Sequence, residues 1–421
     1  MGPVREQVEV RSVEEHERLE WRRSASRTFL HGQRVDAASV ASRARVWDRQ
    51  RLLGAYDGDR VVGTYRSWEE QVPVPGDGAT LEATLVSSVT VAPTHRRRGL
   101  LTRMITADLR SARERGVALA LLIAGEAPIY GRFGFGPAGS TQTLVVRTPA
   151  ELEHRPAGTD AVTVELCEHA DLRAEAPAVH AAAVARRPGL VSRDDAWWDD
   201  ALGIDPLPDD PKAATPALLA RDADGRAVGF ARYRTHGRWA HMRHDNEVEV
   251  DDLCASTPAA HAALWEHLLS VDVVDSVRVT NRPLDDPLPE MLRDRRRALA
   301  SEGSDVTWAR LLDVPAALAA RGWLGPPGAC VLEVHDALGL AGGRWRVDLD
   351  GSAPGRLAAT PTDAAADVVL DVGALSAAYL GETSLVALHA AGRVAGERAA
   401  VARLAAQLAW TPDAWPTATI F

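Results

Sequence analysis

One stretch of the sequence, from Val86 to Gly136, constrains the possible folds more than any other. It begins with a run of β-branched residues that ends at Pro93, which predicts a strand with a sharp end. A second apolar run, from Val117 to Ala124, predicts a neighbouring strand. Between them a helix is predicted, because aliphatic residues recur at the spacing of one helical face: Leu100, Leu101, Met104, Ile105 and Leu109. This succession favours a mixed α/β fold.

The loop before this helix has the chemistry of an anion site. Arg96-Arg97-Arg98-Gly99 leads directly into the helix. The first turn of a helix carries unpaired backbone N–H groups and the positive end of the helix dipole. Arginine side chains add charge at the same place. The loop is therefore predicted to hold a phosphate or pyrophosphate group. The alternative is a helix with a solvated basic first turn.

Composition narrows the class of partner. The 421 residues include 48 Lys and Arg against 58 Asp and Glu, a net charge of −10. This balance argues against a nucleic-acid partner, which would need a basic face. An acidic surface weakly favours cationic substrates, although solubility alone explains it equally well. Cys167, Cys254 and Cys330 are odd in number and far apart, so we expect a cytoplasmic protein with neither a disulfide framework nor a metal site.

Targeting and membrane segments are not expected. The N-terminus is charged and lacks the apolar core of a signal peptide. The longest apolar run, Val117 to Ala124, is far too short to cross a bilayer. The length of the chain instead predicts about three soluble domains.

Two parts of the chain share a strand–turn–strand plan. Asp57-Gly58 separates two apolar strands, and Asp224-Gly225 does the same in the middle of the chain. After each hairpin come an alternating strand, a proline and a helix, which suggests a duplicated unit. The middle helix begins at Ala259 without an arginine–glycine loop. We expect this copy to lack the anion site, because glycine lets a backbone approach a pyrophosphate closely.

The anion loop and the segment after the second strand resemble a known family. VAPTHRRRGLL, followed at the right distance by E-x-x-IYGRFGFGPA, resembles the GNAT acyltransferases, and in particular the Eis-type (enhanced intracellular survival) acetyltransferases of actinobacteria. Asp371 to Gly381 resembles the sterol-carrier-like module that ends those proteins. The fold class implied is α/β (α+β), with a GNAT domain over 1–150, a degenerate GNAT-like domain over 151–303 and a sterol-carrier-like domain over 304–421.

The resemblance implies acetyl-CoA as co-substrate and no metal. The residues at the cofactor-binding positions lie in the first strand, the loop with the first helical turn, and the end of the second strand: Val89, Thr90, Val91, Arg97, Arg98, Gly99, Leu100, Leu101, Thr102, Gly125 and Glu126. Leu101 replaces the small residue that ends the usual loop motif. Gly125 stands where the family is expected to have serine, so a side-chain contact is lost there and a backbone contact remains open.

Acetyl transfer to an amine needs a polarised thioester, a base for the ammonium ion and an acid for the departing thiolate. Backbone N–H groups of the strand Val89–Val91 are candidates for the first task. The resemblance implies Tyr130 as the general acid, and a phenol has an ordinary pKa of about 10. It implies the α-carboxylate of Phe421, the last residue, as the general base, reaching back into the N-terminal domain.

The resemblance also implies a small-molecule amine acceptor of the aminoglycoside type and assembly as a homo-hexamer. Two alternatives stay open. One is acetylation of polyamines or protein lysines. The other, from a different class, is a lipid-binding carrier with vestigial catalysis, although the intact arginine–glycine loop argues against it.

Overall fold

The computed structural model describes residues 8–30, 35–41, 43–204, 215–237, 239–240, 243–349, 357–412 and 415–421. The predicted first hairpin, the helix after the arginine loop and the second strand are all present. The elements of the first part of the chain are β1 (Glu9–Ser12), α1 (Arg18–Thr28), α2 (Ala37–Ala41), α3 (Ala44–Trp47), β2 (Arg51–Asp57), β3 (Arg60–Pro73), β4 (Thr80–Val91), α4 (Leu100–Glu114), β5 (Leu119–Ile123), α5 (Ala127–Tyr130) and β6 (Gly136–Arg147).

The middle part repeats the plan of the first part, and its predicted hairpin is also present. Its elements are β7 (Thr163–Cys167), α6 (His169–Val184), α7 (Asp195–Leu202), β8 (Ala217–Arg221), β9 (Ala227–His236), β10 (Trp239–Ala240), β11 (Arg243–His244), β12 (Glu247–Ala255), α8 (Pro258–Leu269), β13 (Ser276–Pro283), α9 (Leu288–Met291) and β14 (Ala298–Leu311).

The elements of the last part are α10 (Val314–Ala320), β15 (Gly328–His335), β16 (Gly343–Leu349), β17 (Leu357–Pro361), β18 (Val368–Asp371), α11 (Val372–Tyr379), α12 (Leu385–Ala390), β19 (Val394–Gly396) and α13 (Arg398–Leu408). Its strands form a separate five-stranded sheet in the order β17-β16-β15-β18-β19. The expected mixed α/β fold class is thereby confirmed. In the described part of the chain, no helix has both the length and the apolar character that a membrane span requires.

The first and middle parts share one sheet of twelve strands, in the order β1-β2-β3-β4-β5-β14-β6-β13-β12-β9-β8-β7. The two parts exchange strands at its centre. β14, the last strand of the middle part, pairs with β5 of the first part, and β6 of the first part pairs with β13. β6 is thus separated from β5 by β14. The predicted boundary at 303 falls inside β14.

The first half of this sheet is covered on both faces, as the alternating side chains of β5 show. Ala120 and Leu122 belong to the apolar cluster under α4. Leu119 and Leu121 belong to a second cluster, which they share with the last part of the chain. The sheet is therefore a buried layer between α4 and the C-terminal part.

Buried polar contacts join β14 to the C-terminal part. Arg310 of β14 forms a 2.8 Å ion pair with Asp336, and both side chains are fully buried. The Leu311 N–H donates to Ser376 Oγ of α11 at 2.9 Å. Removing one partner from such a buried pair is strongly destabilising, because the other charge is left unpaired away from water. These contacts fix the C-terminal part on the sheet.

We expect Gly136→Ala to loosen this packing. A methyl group at Gly136 would collide with the backbone carbonyl of Gly373 in α11, and overpacking of this kind costs about 2 kcal/mol of unfolding free energy. Chemical denaturation of the full chain measures the loss. Gly131→Ala is the matched control, since its methyl would meet no atom within 4 Å. Equal stability of the two variants would contradict the close contact.

Candidate active site

β4 and β5 separate where the candidate site lies. Their parallel pairing runs from Ala83↔Leu119 to Val86↔Leu122 and ends there. β4 continues to Val91, paired only with β3. A register shift in that pairing, with Ser88 in a left-handed backbone conformation (φ 53°), bends β4 at this point. The predicted strand residues Val89–Val91 thus lie beyond β5, with one backbone edge free of that neighbour.

Side-chain hydrogen bonds hold the bend. Thr64 Oγ1 donates to the Ser88 carbonyl at 2.7 Å and lies 2.6 Å from Thr90 Oγ1. Both threonines are buried. Because the Thr90 hydroxyl is engaged inside the protein, the strand offers a ligand its backbone groups rather than this side chain.

The arginine loop is open to solvent at the start of α4. Gly99 is the N-cap residue, in a left-handed conformation (φ 74°), and no side chain caps the helix. A methyl group at Gly99 would meet no atom within 4 Å. Arg97 is also left-handed (φ 63°), and Arg96 to Gly99 are all exposed. The loop therefore leaves the first N–H groups of α4 accessible to an anion.

His95, which the sequence analysis did not assign, braces this loop. Its ring is buried, its Nε2 donates to Asp57 Oδ2 at 2.9 Å, and Thr94 Oγ1 lies 2.8 Å from its Nδ1. Arg98 adds a 3.2 Å hydrogen bond to the Thr94 carbonyl. The hairpin turn at Asp57 thereby fixes the arginine loop.

Asp108 is a second polar residue that sequence reasoning missed. It is buried on the apolar face of α4. Its carboxylate accepts hydrogen bonds from Arg51, Tyr65 and Ser67, each at 2.9 Å. A lone carboxylate on an apolar helical face was the available signal, because a buried charge needs partners.

Tyr130 is buried near the bend, at the end of α5, with 8% of its surface exposed. Its ring packs edge-to-face on Phe135, with 6.2 Å between ring centroids. Burial raises the pKa of the Tyr130 phenol to about 12, and the negative charge of Glu126 adds to the effect. The hydroxyl of the nearby Tyr65 donates to Asp108, whereas that of Tyr130 has no hydrogen-bond partner among the described residues. Of the two phenols, Tyr130 is the available proton donor.

Phe421 reaches the first part of the molecule from the far end of the chain. Its ring lies edge-to-face on Trp68 of β3, with 5.8 Å between centroids. The Arg66 guanidinium lies 4.8 Å from the Trp68 ring centroid. Burial lowers the pKa of Arg66 to about 10, and the neighbouring cations Arg43 and Arg22 contribute. Trp68 therefore contacts both the C-terminal residue and a buried arginine.

The predicted site residues fall into two groups on opposite faces of the sheet. One apolar cluster under α4 contains Tyr130 together with four predicted cofactor residues: Val89, Val91, Leu100 and Leu101. Thr102, Gly125 and Glu126 lie exposed beside it, and a methyl group at Gly125 would meet open space. Phe421 packs against the cluster on the other face. Among the described residues, no group of three His, Cys, Asp or Glu side chains could hold a metal ion.

Three family models match the chain. A model described as an acetyltransferase (GNAT) domain matches residues 9–138, and a second model of the same description matches residues 189–311. A sterol carrier protein domain matches residues 314–416. These spans agree with the two similar halves of the twelve-stranded sheet and with the separate last sheet.

Relatives match over most of the chain. An uncharacterized N-acetyltransferase of Streptomyces griseus is 40% identical over 417 residues, which cover 96% of this chain and 99% of that protein. The N-acetyltransferase Eis of Mycobacterium tuberculosis is 35% identical over 347 residues, 81% of each chain. The crystal structure of Eis1 from Mycobacterium abscessus superposes with a TM-score of 0.79 at 31% identity, covering 99% of this chain and all of that one.

Proposed function

The chain belongs to the Eis-type N-acetyltransferases of the GNAT family, and from this we propose that it transfers an acetyl group from acetyl-CoA directly to an amine, with Tyr130 as general acid and the Phe421 α-carboxylate as general base. The observation that carries the proposal is the separation of β4 from β5 beside an uncapped, glycine-started helix. This pair of features leaves backbone donors open both to a thioester and to a pyrophosphate.

The residues at this site fit acetyl-CoA. The open space at Gly99 and the exposed Arg97 and Arg98 suit a pyrophosphate. The free edge of Val89–Val91 suits the extended pantetheine arm and can direct a backbone N–H at the thioester oxygen. Acetyl-CoA supplies the activated acetyl group. The exposed Gly125 and Glu126 lie at the end of β5, where they can contact the cofactor through their backbone.

Tyr130 is suited to protonate the departing thiolate. Its raised pKa, about 12, keeps the phenol protonated throughout the neutral range, so the acid form is present whenever the enzyme works. Its hydroxyl is not committed to another described residue. Positioned proton donors of this kind contribute to catalysis by stabilising charge as the leaving group departs.

The Phe421 carboxylate is suited to take the proton of the ammonium ion. An α-carboxyl group has an ordinary pKa of about 3.5 and is ionised at neutral pH, and loss of water around it strengthens it as a base. Phe421 packs on the face of the sheet opposite Tyr130. Separate groups for the two proton transfers suit direct transfer: the amine attacks the acetyl carbon and loses its proton to the Phe421 carboxylate, and the C–S bond then breaks as the departing thiolate takes a proton from Tyr130.

The acceptor in this proposal is an amine of the aminoglycoside type. The family resemblance implies such a polycation, and the alternatives are polyamines and protein lysines. A thiol-release assay with acetyl-CoA therefore needs four arms: an aminoglycoside, a polyamine, a lysine peptide and a singly charged amine. If none of the four amines raises thiol release above background, the result would instead favour the lipid-binding carrier. The homo-hexamer also stays a prediction, and a measurement of the native mass in solution would test it.

We expect Gly99→Ala to weaken acetyl-CoA binding about tenfold, or about 1.4 kcal/mol, because a side chain there blocks close approach of the backbone. Gly116→Ala is the matched control, since Gly116 stands at the other end of α4, is also left-handed (φ 88°) and also faces open space. Alanine is strained to the same extent at either position, because both glycines have a left-handed backbone conformation. Calorimetric titration with acetyl-CoA compares them, and equal losses would remove Gly99 from the cofactor site.

We expect Tyr130→Phe to lower kcat about a hundredfold or more, because the proton donor is lost, while the Kd for acetyl-CoA stays nearly unchanged. Tyr233→Phe is the control, because Tyr233 is equally buried but lies in the middle part. Steady-state kinetics with a fixed amine measure kcat. A Tyr130→Phe enzyme as fast as the control would show that another group protonates the thiolate.

We expect a two-residue extension after Phe421 to abolish transfer, because the terminal carboxylate is replaced by a peptide bond. Acetyl-CoA affinity should remain, since the tail lies on the face opposite the predicted cofactor residues. The same two residues added before Met1 are the control. Full activity of the C-terminally extended enzyme would remove the Phe421 carboxylate from the mechanism.

A further inference from the structure

The middle part contains a second pair of separated strands. β12 and β13 pair in parallel from Glu247↔Ser276 to Val250↔Val279 and then part. β12 continues to Ala255, paired only with β9, with a register shift after Val250. This is the same arrangement as in β4 and β5. In β12, Leu253 stands three residues past the last parallel pair, as Val89 does in β4.

The C-terminal tail occupies the gap between these strands. The Thr417 N–H donates to the Leu253 carbonyl at 3.1 Å, and the Leu253 N–H donates to Thr417 Oγ1 at 3.1 Å. The next N–H of the tail, that of Ala418, donates to the Asn281 carbonyl of β13 at 3.1 Å. Successive tail residues thus bond to the two strands in turn, as an inserted strand would.

Two buried ion pairs of the middle part hold the tail from either side. Arg193 pairs with Asp252 at 2.5 Å, and its Nε donates to Thr419 Oγ1 at 3.0 Å. Arg282 pairs with Asp286 at 2.6 Å, and its Nη1 donates to the same Leu253 carbonyl at 2.9 Å and to Thr417 Oγ1 at 3.4 Å. Pro416, Thr417 and Thr419 are buried as a result. Hydrogen bonds to the hydroxyl groups of Thr417 and Thr419 therefore fix the tail.

The helix after β12 is closed to an anion. Thr257 caps α8, its hydroxyl accepting from the Ala260 N–H at 3.1 Å. Ala259 packs near Gly158, in the segment that leads into β7. By contrast, α4 starts at an exposed glycine with no side-chain cap. The middle part therefore keeps the strand geometry of a cofactor cleft without the site for a pyrophosphate.

We propose that the separated strands β12 and β13 hold the C-terminal tail in the place where the first part would hold its cofactor, and that Thr417 and Thr419 are positioning residues for the Phe421 carboxylate. This inference rests on the proposed function for the role of Phe421. From Thr419 to the terminus only two residues remain, which span about 7 Å when extended. The hydrogen bond from Arg193 to Thr419 therefore limits where the Phe421 carboxylate can lie relative to Trp68.

The test removes the two hydroxyls in the full-length enzyme. Thr417→Val with Thr419→Val keeps side-chain shape and deletes the hydrogen bonds, and the two serine variants restore the hydroxyls. Thr411→Val is the control, because Thr411 is exposed in the same tail. Thr419→Val alone removes a single hydrogen bond and serves if the double variant folds poorly. Two quantities are measured: the rate at which carboxypeptidase releases Phe421, and kcat against the KM for acetyl-CoA.

We expect the valine variants to lose Phe421 about tenfold faster and to lose at least about tenfold in kcat, with an unchanged KM for acetyl-CoA, because each lost hydrogen bond frees the tail. The serine variants should behave as wild type. Release and kcat equal to those of Thr411→Val would overturn the inference, even if the extended enzyme is inactive. Faster release with unchanged kcat would also overturn the positioning role. If the extended enzyme is active as well, the general base itself is what fails.

Discussion

The pairing of β14 with β5 is the contact on which the rest of the structure depends. One edge of β5 forms the separated pair with β4, so its other edge needs a neighbour, which β14 supplies from the end of the middle part. The same strand carries Arg310, whose ion pair with Asp336 fixes the C-terminal part. A single strand therefore completes the acetyltransferase sheet, joins it to its second half and anchors the last domain.

Much of the local structure followed from the sequence. The apolar spacing after Gly99 predicted α4, and Asp57-Gly58 predicted a hairpin, because both signals act between residues close in the chain. The strand exchange did not follow. No local signal in β6 or β14 decides which of them lies beside β5, because that depends on partners more than a hundred residues away. The hydrophobic pattern of a segment predicts that it forms a strand, but it does not indicate which other strand it pairs with.

The candidate site divides in the same way. The role proposed for Tyr130 comes from the family resemblance, whereas Arg97 and Gly99 stand in a short motif whose neighbouring residues indicate its chemistry. Asp108 and Thr417 do not, because their roles come from partners distant in sequence: Asp108 accepts from Tyr65, 43 residues away, and Thr417 accepts from Leu253, 164 residues away. A polar residue on a face that is otherwise apolar was the only local trace of such a partner.

The strand exchange also has a consequence for synthesis on the ribosome. β5 ends at Ile123 and β14 begins at Ala298, so at about 5–20 residues per second the first strand waits about 9–35 s for its native neighbour to be made. Throughout that interval β5 presents an apolar edge with unpaired backbone groups. The first half of the twelve-stranded sheet therefore cannot acquire its native pairing at β5 until the middle part has been synthesised.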